Sequence, residues 1–179
     1  MAERVVIRRV EERDLSAIQA IYAHHVRHGT ASFEIEPPDV PEMTRRVRAI
    51  MELGLPYLVA EREGQIAGYA YAGLYRPRAA YRFTCEDSVY VAAELTGRGI
   101  GLPLLRAVVD GATQAGMRQM VAVIGDSQQR PSIRLHEKAG FQMVGTLRHI
   151  GWKFGRWLDS VLMQRALGEG NETPAPSSR

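Results

Sequence analysis

The sequence predicts one globular domain of the α/β or α+β class, in which helices pack against a mixed β-sheet. The chain has 179 residues, 45% of them hydrophobic, which is enough for a single domain with a substantial core. Runs rich in β-branched and aromatic residues follow one another and are separated by amphipathic stretches that end at glycines. Because the strands do not alternate regularly with helices, a repeating βαβ array is not expected.

The first part of the chain predicts a strand followed by two helices. Residues 4–10 are rich in β-branched side chains, as in a strand, and Asp14 is expected to cap the following helix, which ends at Gly29. Two prolines forbid regular structure in the next loop. Asp39 is then expected to cap a second helix, which Gly54 closes.

The rest of the chain predicts further strands with two more helices. Residues 57–63 and 65–75 indicate a β-hairpin with its turn at Gly64. The other predicted elements are a strand at 82–92, a helix that carries Leu104 to Ala112 and ends at Gly116, a buried strand at 117–125, a short helix at 130–140, and strands near 141–148 and 158–166. We expect one domain over residues 1–167. The polar ending at 168–179, rich in Gly, Pro and Ser, predicts a disordered tail.

Charge and cysteine content argue against several classes of protein. The formal net charge is +3, from 23 basic and 20 acidic residues spread along the chain, which does not indicate a nucleic-acid partner. No apolar run reaches the length of a membrane span, and residues 1–12 lack the apolar core of a signal peptide, so no membrane partner is expected. Cys85 is the one cysteine, which excludes an intrachain disulfide and suits a reducing cytoplasm.

A glycine-rich stretch, ELTGRGIGLPLL at 94–105, predicts an anion-binding loop. Gly97, Gly99 and Gly101 leave the backbone open to close approach. The amides that open the next helix have no partner within it, and Arg98 adds positive charge. The spacing excludes a Walker A loop and the dinucleotide fingerprint G-x-G-x-x-G. A phosphate cradle is one interpretation, and a glycine-rich turn before an ordinary helix is the other.

The segment from Ser88 to Phe141 resembles the GNAT superfamily of acyl-CoA N-acyltransferases. The resemblance rests on SVYVAAELTGRGIG, MVAVIG and SIRLHEKAGF, which match the family's strand and R/Q-x-x-G-x-G/A loop, its next strand and its final helix. The departures are Thr96, where the family prefers Arg or Gln, and Gln129, where it often has Asn in a shorter loop. The resemblance implies an α+β fold with α/β-type layers: a mixed, mostly antiparallel twisted sheet flanked by helices, whose splayed central strands hold acetyl-CoA.

Further stretches resemble one branch of this family, the phosphinothricin and methionine-sulfoximine N-acetyltransferases. They are GTASFEIEPP, YAGLYRPRAAYRFTCEDSVYV and RHIGWKFGRWLDSVLMQ, and the likeness covers residues 4 to about 167. The branch acetylates small amino-acid analogues and is dimeric. The resemblance therefore implies an amino-acid-like substrate and a homodimer.

The resemblance also implies which residues hold the acetyl donor. Amides of the strand at 89–91 are expected to face the pantetheine and the thioester, and amides of the glycine loop are expected to wrap the pyrophosphate. The implied donor-binding residues are Val89, Tyr90, Val91, Gly97, Arg98, Gly99, Ile100, Gly101, Leu102, Gln129 and Ser132.

Acetyl transfer to an amine needs a base for the ammonium proton and a proton for the departing thiolate. Glu86 is the expected base, because alternation places it on one face with Ser88 and Tyr90. It also matches the glutamate of the family pattern T-x-E-x-S-V-Y-V. The alternative is that Glu86 is the polar face of an edge strand. His136 stands where many family members have tyrosine, and it is expected either to protonate the thiolate or to pack against the donor.

The substrate is expected to bind beside the loop that precedes the strand at 82–92. Arg76, Arg78 and Arg82 flank this loop and are suited to grip anionic groups; the alternative is that they keep a surface loop soluble. Phe33 is expected to form a wall for the apolar side chain of the substrate. The resemblance places residues 153–159 near the subunit contact, where Lys153 or its neighbours would complete the pocket of the other subunit.

Three other features favour structural roles. His24, His25 and His28 include an i, i+4 pair, but the sequence suggests no third ligand, so a solvated helix face is expected rather than a metal site. Alternation puts Cys85 on the face opposite the expected base, which favours a packed thiol over a nucleophile. Residues 153–159 mix basic and aromatic side chains over too short a stretch for a nucleic-acid patch.

The sequence thus predicts an acetyl-CoA-dependent N-acetyltransferase that acts on the α-amino group of a small amino acid or analogue, by direct transfer in a ternary complex. No metal is expected. The alternatives are an acetyltransferase of the same fold for another amine, such as a protein N-terminus, and a non-catalytic acyl-CoA-binding sensor. Glu86 and the arginine loop argue against the sensor, since a sensor needs only the glycine loop.

Overall fold

The computed structural model describes residues 5–176. Its strands and longer helices are β1 (Val6–Arg9), α1 (Leu15–His28), α2 (Val40–Glu52), β2 (Tyr57–Arg62), β3 (Gln65–Leu74), β4 (Thr84–Val91), α3 (Gly101–Gln114), β5 (Gln119–Gly125), α4 (Arg130–Lys138), β6 (Gln142–Lys153) and β7 (Arg156–Ala166). Within the described residues the strands form one sheet in the order β1-β2-β3-β4-β5-β7-β6. Neighbouring strands are antiparallel except β4 and β5, which are parallel. The predicted α+β fold with a mixed, mostly antiparallel sheet is confirmed.

Helices cover both faces of this sheet. On one face, Ile18 and Val26 of α1 and Val47 of α2 pack with Val59 and Tyr69 of the sheet. On the other face α3 and α4 cover a second core, which includes Leu104, Leu105, Val108, Met120 and Met163. Each face of the sheet therefore buries its own apolar side chains beneath amphipathic helices.

The two N-terminal helices begin differently. Asp39 caps α2 as predicted, because its side chain accepts a hydrogen bond of 2.8 Å from the amide of Glu42. Asp14 occupies the predicted N-cap position of α1, but its side chain makes no hydrogen bond to the first amides of the helix. The carboxylate of Asp14 accepts from the amide of Glu11 at 2.8 Å and from Arg8 at 2.7 and 2.9 Å. Asp14 therefore ties the turn before α1 to β1.

The β6–β7 hairpin is longer than the sequence predicts. The expected strands at 141–148 and 158–166 extend to a two-residue turn at Phe154 and Gly155, whose φ angles are +53° and +70°. Positive φ is uncommon for phenylalanine, and the pairing of the two strands also shifts register within β6. These irregularities interrupt the regular alternation of side chains along the hairpin.

The chain beyond β7 contacts Arg118. The Arg118 guanidinium lies 3.1 Å from the carboxylate of Glu169 and donates to Oγ1 of Thr173 at 2.7 Å. The predicted disorder of residues 168–179 stays a prediction, and residues 177–179 lie outside the described part of the chain. No helix within residues 5–176 has the length and apolar character that a membrane crossing requires.

Candidate active site

The site lies where β4 and β5 separate. Their parallel pairing joins Thr84 to Gln119, Cys85 to Met120 and Glu86 to Val121. Beyond Glu86 the strands diverge and leave a gap in the sheet, which contains a cavity of about 70 Å³. The cavity is lined by Ala31, by residues 87–90 of β4, by residues 122–125 of β5, and by Gln129, Ser132 and His136 at α4.

The hydrogen-bond ladder of β4 determines which of its amides face this gap. The amide of Ala92 donates to Ala67 at 2.9 Å, so the ladder assigns the peptide groups of Tyr90 to β3 and those of Val89 and Val91 to the gap. The expectation that the Tyr90 amide faces the donor is therefore wrong, because register directs it to β3. Of the three residues, Val89 and Val91 are the two whose amides face the gap.

The carbonyl oxygen of Val91 also faces away from β3, and a histidine of α1 binds it. Nε2 of His25 lies 2.8 Å from this oxygen, so Nε2 carries the proton and donates. Burial, as the largest effect, lowers the pKa of His25 and favours this neutral form. The expected solvated face is therefore wrong for His25. No group of three or more His, Cys, Asp or Glu side chains within residues 5–176 could hold a metal ion.

The glycine loop opens into α3 at the edge of the gap. Gly97 and Gly99 have φ angles of +75° and +78°, which side chains rarely tolerate, and a Cβ on either would meet nothing within 4 Å. Their amides and that of Ile100 donate to no backbone carbonyl of the described residues. The amide of Arg98 differs, since it makes a long bond of 3.4 Å to Leu95. The loop is thus an open cradle of unpaired amides.

Glu86 lies on the same face of β4 as Ser88. Tyr71 of the neighbouring strand β3 pairs with Ser88 on this face. The Glu86 side chain is half-buried, and burial first, then the charge of Asp87, raises the pKa of its carboxyl, while Arg76 opposes them. A carboxylate with a raised pKa is a better proton acceptor near neutral pH. Cys85 lies in the core beneath α3, on the opposite face and fully buried.

His136 is buried on the α4 side of the gap. Its Nδ1 lies 2.7 Å from the carbonyl oxygen of Ser132, and its Nε2 lies 2.9 Å from Oδ2 of Asp87. The ring also packs edge-on against Phe141. Asp87 is a site residue that the sequence reasoning missed. The available signal was strand alternation, which puts Asp87 on the buried face opposite Glu86.

The three arginines of the predicted substrate loop are exposed. The Arg76 guanidinium lies 4.9 Å from the ring centre of Tyr75, and its charge acts on Glu86. Arg82 lies 4.6 Å from the ring centre of Phe83. Arg78 precedes a short 3₁₀ turn at 79–81. The structure thus brings Arg76 into electrostatic reach of Glu86 and gives no such relationship for Arg78.

Phe33 lies in the loop between α1 and α2, against two glycine backbones. A Cβ on Gly151 would come within 2.4 Å of the Phe33 ring, and one on Gly125 within 2.9 Å. This loop meets the β4–β5 gap, because Nε2 of Gln129 donates to Oγ1 of Thr30 at 3.0 Å. Gln129 thus contacts the loop as well as the cavity.

Lys153 holds the same loop in its own chain. Its Nζ donates to the carbonyl oxygens of Gly29 at 2.9 Å and Ser32 at 2.7 Å, and its side chain is buried. On the α1 side, the hydroxyl of Tyr22 contacts Oγ of Ser32 at 2.9 Å and the carboxylate of Glu34 at 3.0 Å. Lys153 therefore makes a contact within the chain, and its expected part in the pocket of another subunit stays a prediction. Sequence reasoning missed the loop's polar anchors.

The β6–β7 hairpin leaves several large apolar side chains exposed. They are Met143, Val144, Leu147, Ile150, Trp152, Phe154 and Trp157. Trp152 and Trp157 pack edge-on with ring centres 5.2 Å apart. An apolar patch of this kind is typical of a protein–protein contact.

Comparison with known proteins identifies relatives of this chain. The sequence matches the family described as acetyltransferase (GNAT) domain over residues 7–162. It is 53% identical over 167 residues to the phosphinothricin N-acetyltransferase of Alcaligenes faecalis, covering 93% of this chain and 85% of that protein. It is 39% identical to the L-methionine sulfoximine/L-methionine sulfone acetyltransferase of Salmonella typhimurium, covering 92% and 96%.

A solved structure is also similar throughout. The GNAT superfamily phosphinothricin acetyltransferase of Sinorhizobium meliloti, crystallised in complex with AcCoA, superposes with a TM-score of 0.94 at 43% sequence identity. The superposition covers 97% of this chain and 94% of that one.

Proposed function

The chain belongs to the GNAT acetyltransferase family, and from that premise we propose that it moves the acetyl group of acetyl-CoA to the α-amino group of a small amino acid or analogue. The names of these relatives give their substrates as phosphinothricin and as methionine sulfoximine or methionine sulfone. These names favour a substrate of similar size and charge for this chain. The observation that carries the proposal is the half-buried Glu86 with a raised pKa beside the gap between β4 and β5.

The gap and the glycine loop suit acetyl-CoA as the donor. Acetyl-CoA supplies an acetyl group already activated as a thioester. The unpaired amides of the glycine loop suit its pyrophosphate, and the charge of Arg98 would add to them. The amides of Val89 and Val91 suit the pantetheine and the carbonyl oxygen, on which negative charge develops during transfer. Gln129 and Ser132 line the same cavity.

Glu86 is proposed to take the ammonium proton, directly or through a water, so that the free amine can attack the thioester. Its burial supports this role, because burial raises the pKa of the carboxyl and makes it a stronger base. Transfer would be direct. Cys85 is the one cysteine in the chain, so its thiol is the only thiol that could form an acetyl-enzyme. Because Cys85 is buried on the face of β4 opposite Glu86, no such intermediate is proposed.

The amine pocket is proposed to lie between the loop at 29–34 and the exposed arginines. Phe33 would provide an apolar wall, held in place by its glycine contacts and by Lys153. Arg76 and Arg82 are proposed to bind the substrate's anionic groups, since a guanidinium can grip a carboxylate with two hydrogen bonds. The charge of Arg76 near Glu86 supports its share of this role.

We further propose that the chain forms a homodimer in the cytoplasm. The exposed apolar side chains of the β6–β7 hairpin support a contact with a second copy, because most of them lie on β6, the outer strand of the sheet. The single, buried thiol suits a reducing compartment. Acetylation of toxic amino-acid analogues would protect the cell that makes this protein.

One assay tests the proposal against its alternatives. Thiol release from acetyl-CoA is followed with free amino acids, methionine sulfoximine, phosphinothricin and short peptides as acceptors. We expect turnover with amino-acid-like acceptors. Turnover with peptides alone would indicate an acetyltransferase for protein N-termini. Acetyl-CoA binding without turnover for any acceptor would indicate a sensor and contradict the proposal.

A further inference from the structure

Thr30 joins the loop at 29–34, which the proposed function places beside the amine, to the turn between β5 and α4. Nε2 of Gln129 donates to Oγ1 of Thr30 at 3.0 Å, and the hydroxyl of Thr30 also hydrogen-bonds to the carboxylate of Asp126. Thr30 and Asp126 are both buried. One hydroxyl group thus ties Gln129 to a loop that lies 99 positions away in the sequence.

The chemistry of these groups fixes the direction of each bond. An ionised carboxylate only accepts hydrogen bonds and a hydroxyl has a single proton, so Thr30 gives that proton to Asp126. The oxygen of Thr30 is then the acceptor for Gln129, whose side-chain amide must present its NH₂ group to Thr30. Oε1 of Gln129 consequently points away from Thr30, and it makes no hydrogen bond within residues 5–176.

Asp126 stays ionised although it is buried. Burial, as the largest effect, raises the pKa of its carboxyl, but hydrogen bonds from the amide of Gln128, from Arg156 and from Thr30 outweigh burial and hold the pKa below its ordinary value. The Gln128 amide lies 3.0 Å from Oδ1, and the Arg156 guanidinium lies 2.5 Å from Oδ2. The orientation of the Thr30 hydroxyl is therefore constant at neutral pH.

The two loops are also packed without space between them. A Cβ on Gly125 would come within 2.2 Å of the carbonyl oxygen of Thr30 and 2.9 Å of the Phe33 ring. Close-packed groups transmit a displacement instead of absorbing it. Gly125 and Gln129 line the cavity between β4 and β5, so a ligand in this cavity acts on the residues that hold the amine loop.

We propose that Thr30 couples the two substrate sites, because its hydroxyl directs Oε1 of Gln129 to the donor cavity and ties Gln129 to the loop that carries Phe33. The pantetheine arm of CoA carries amide N–H groups, which Oε1 can accept. Gln129 is then fixed in place and, through Thr30, so is the loop at 29–34. Coupling between two sites is reciprocal, so the amine must tighten CoA binding by the same factor. The inference rests on the proposed function and adds Thr30 to it as a positioning residue for both substrates.

The first test measures this coupling without turnover. CoA, which has no acetyl group to transfer, is titrated by calorimetry into the protein with and without phosphinothricin. In the native protein we expect phosphinothricin to tighten CoA binding by about 5-fold or more. Thr30→Val keeps the shape of the side chain but removes the hydroxyl, so the tightening should disappear. Thr30→Ser keeps the hydroxyl and should retain the tightening.

Thr113→Val is the matched control for the loss of a threonine hydroxyl. The hydroxyl of Thr113 donates to the carbonyl oxygen of Val109 at 2.8 Å, within α3 and away from both loops. The same change there should leave the tightening at its native value.

The second test needs no amine. Hydrogen exchange of the backbone amides at 29–34 is followed by mass spectrometry with and without CoA. Exchange should slow on addition of CoA in the native protein and in Thr30→Ser, and it should stay unchanged in Thr30→Val. The amides of α2 should exchange at the same rate with and without CoA in all three proteins.

Several results would overturn the inference. In the native protein, equal CoA affinity with and without phosphinothricin, or unchanged exchange at 29–34 on addition of CoA, contradicts the coupling, and these results stand even if Thr30→Val does not fold. Native tightening in Thr30→Val, or its loss in Thr30→Ser, contradicts the assignment to the hydroxyl. A native protein that binds no CoA contradicts the proposed function instead, and the titration of CoA alone detects that separately.

Discussion

The ring of Phe33 lies against the backbone of Gly151, so close that a single added methyl group on Gly151 would come within 2.4 Å of the ring. Phe33 belongs to the loop between α1 and α2, and Gly151 to the outer strand β6. The absence of a side chain at Gly151 is thus what allows the loop to seat its aromatic ring beside the proposed amine pocket.

Gly151→Ala should displace Phe33 and weaken binding of the amine substrate. The expected result is a higher KM for the amino acid with an unchanged KM for acetyl-CoA, because the glycine loop lies elsewhere. Gly145→Ala is the matched control, since Gly145 is also on β6 and a Cβ there would meet nothing within 4 Å. Steady-state kinetics of the two variants decide the matter. Equal amine KM values for Gly151→Ala and Gly145→Ala would show that the position of Phe33 does not affect substrate binding.

Lys153→Met should loosen the same loop. The change keeps the length of the side chain but removes the donor for the carbonyl oxygens of Gly29 and Ser32. Both carbonyl oxygens then lose this donor, and the buried acceptor on Ser32 typically costs about 1–3 kcal/mol when it lacks a partner. We expect a lower thermal midpoint and a higher amine KM, measured by calorimetry and kinetics. Lys138→Met, at an exposed position on α4, should change neither. A Lys153→Met protein as stable and active as the native one would contradict the anchoring role.

Local pattern was sufficient to predict the elements and part of the site. Alternation along β4 placed Glu86 and Cys85 on opposite faces, and the capping preference of aspartate located the start of α2 at Asp39. Both depend on neighbours a few residues away. The family resemblance supplied the chemistry that these patterns alone left open.

The remaining features depend on contacts distant in sequence. Asp87 and His136 are 49 residues apart, and His25 reaches a carbonyl oxygen 66 residues away. Lys153 binds a carbonyl oxygen 124 residues away. The direction of the Tyr90 amide depends on the register with β3, which one strand's sequence does not contain. Periodicity reports which face a residue occupies, and the fold decides what it meets there.

Gly99→Val should weaken acetyl-CoA binding. A β-branched side chain at this position would enter the open space before the cradle, and it would also strain a backbone with φ of +78°. Gly64→Val separates the two effects, because Gly64 has φ of +77° and equally open surroundings in the β2–β3 turn. We expect both variants to lose stability and Gly99→Val alone to raise the KM for acetyl-CoA strongly. Arg98→Ala should raise it less, since it removes one exposed charge. Native acetyl-CoA affinity in a folded Gly99→Val protein would contradict the cradle.

Arg76→Ala and Arg82→Ala should weaken binding of amino-acid substrates and leave acetyl-CoA affinity unchanged. Both guanidiniums are exposed over aromatic rings, so the loss should be smaller than for a buried charge pair. Arg27→Ala, at an exposed position on α1, is the control. The measurement is the amine KM of each variant, together with that of the native enzyme for a decarboxylated analogue. If the native enzyme acetylates the decarboxylated amine as well as the amino acid, the arginines do not bind the carboxylate.

The central claim is that Glu86 accepts the ammonium proton, and the pH dependence of Glu86→Gln tests it most directly. Glutamine keeps the volume and hydrogen bonding of glutamate but cannot take up a proton. We expect kcat to fall by roughly 10²–10⁴-fold at pH 7 with little change in acetyl-CoA affinity. The raised pKa of Glu86 means that native activity should rise with pH through that value, as the carboxyl loses its proton and becomes a base. The loss in the variant should shrink at high pH, where more substrate arrives as free amine.

The decisive measurement is therefore the pH–rate profile of Glu86→Gln beside those of Glu52→Gln and Cys85→Ala. Glu52 is exposed at the end of α2, and Cys85 is buried on the opposite face of β4, so both of these variants should keep the native profile. We predict a large loss at pH 7 in Glu86→Gln alone, and this loss should diminish as pH rises. Native kcat at pH 7 in Glu86→Gln, or an inactive but folded Cys85→Ala enzyme, would contradict it.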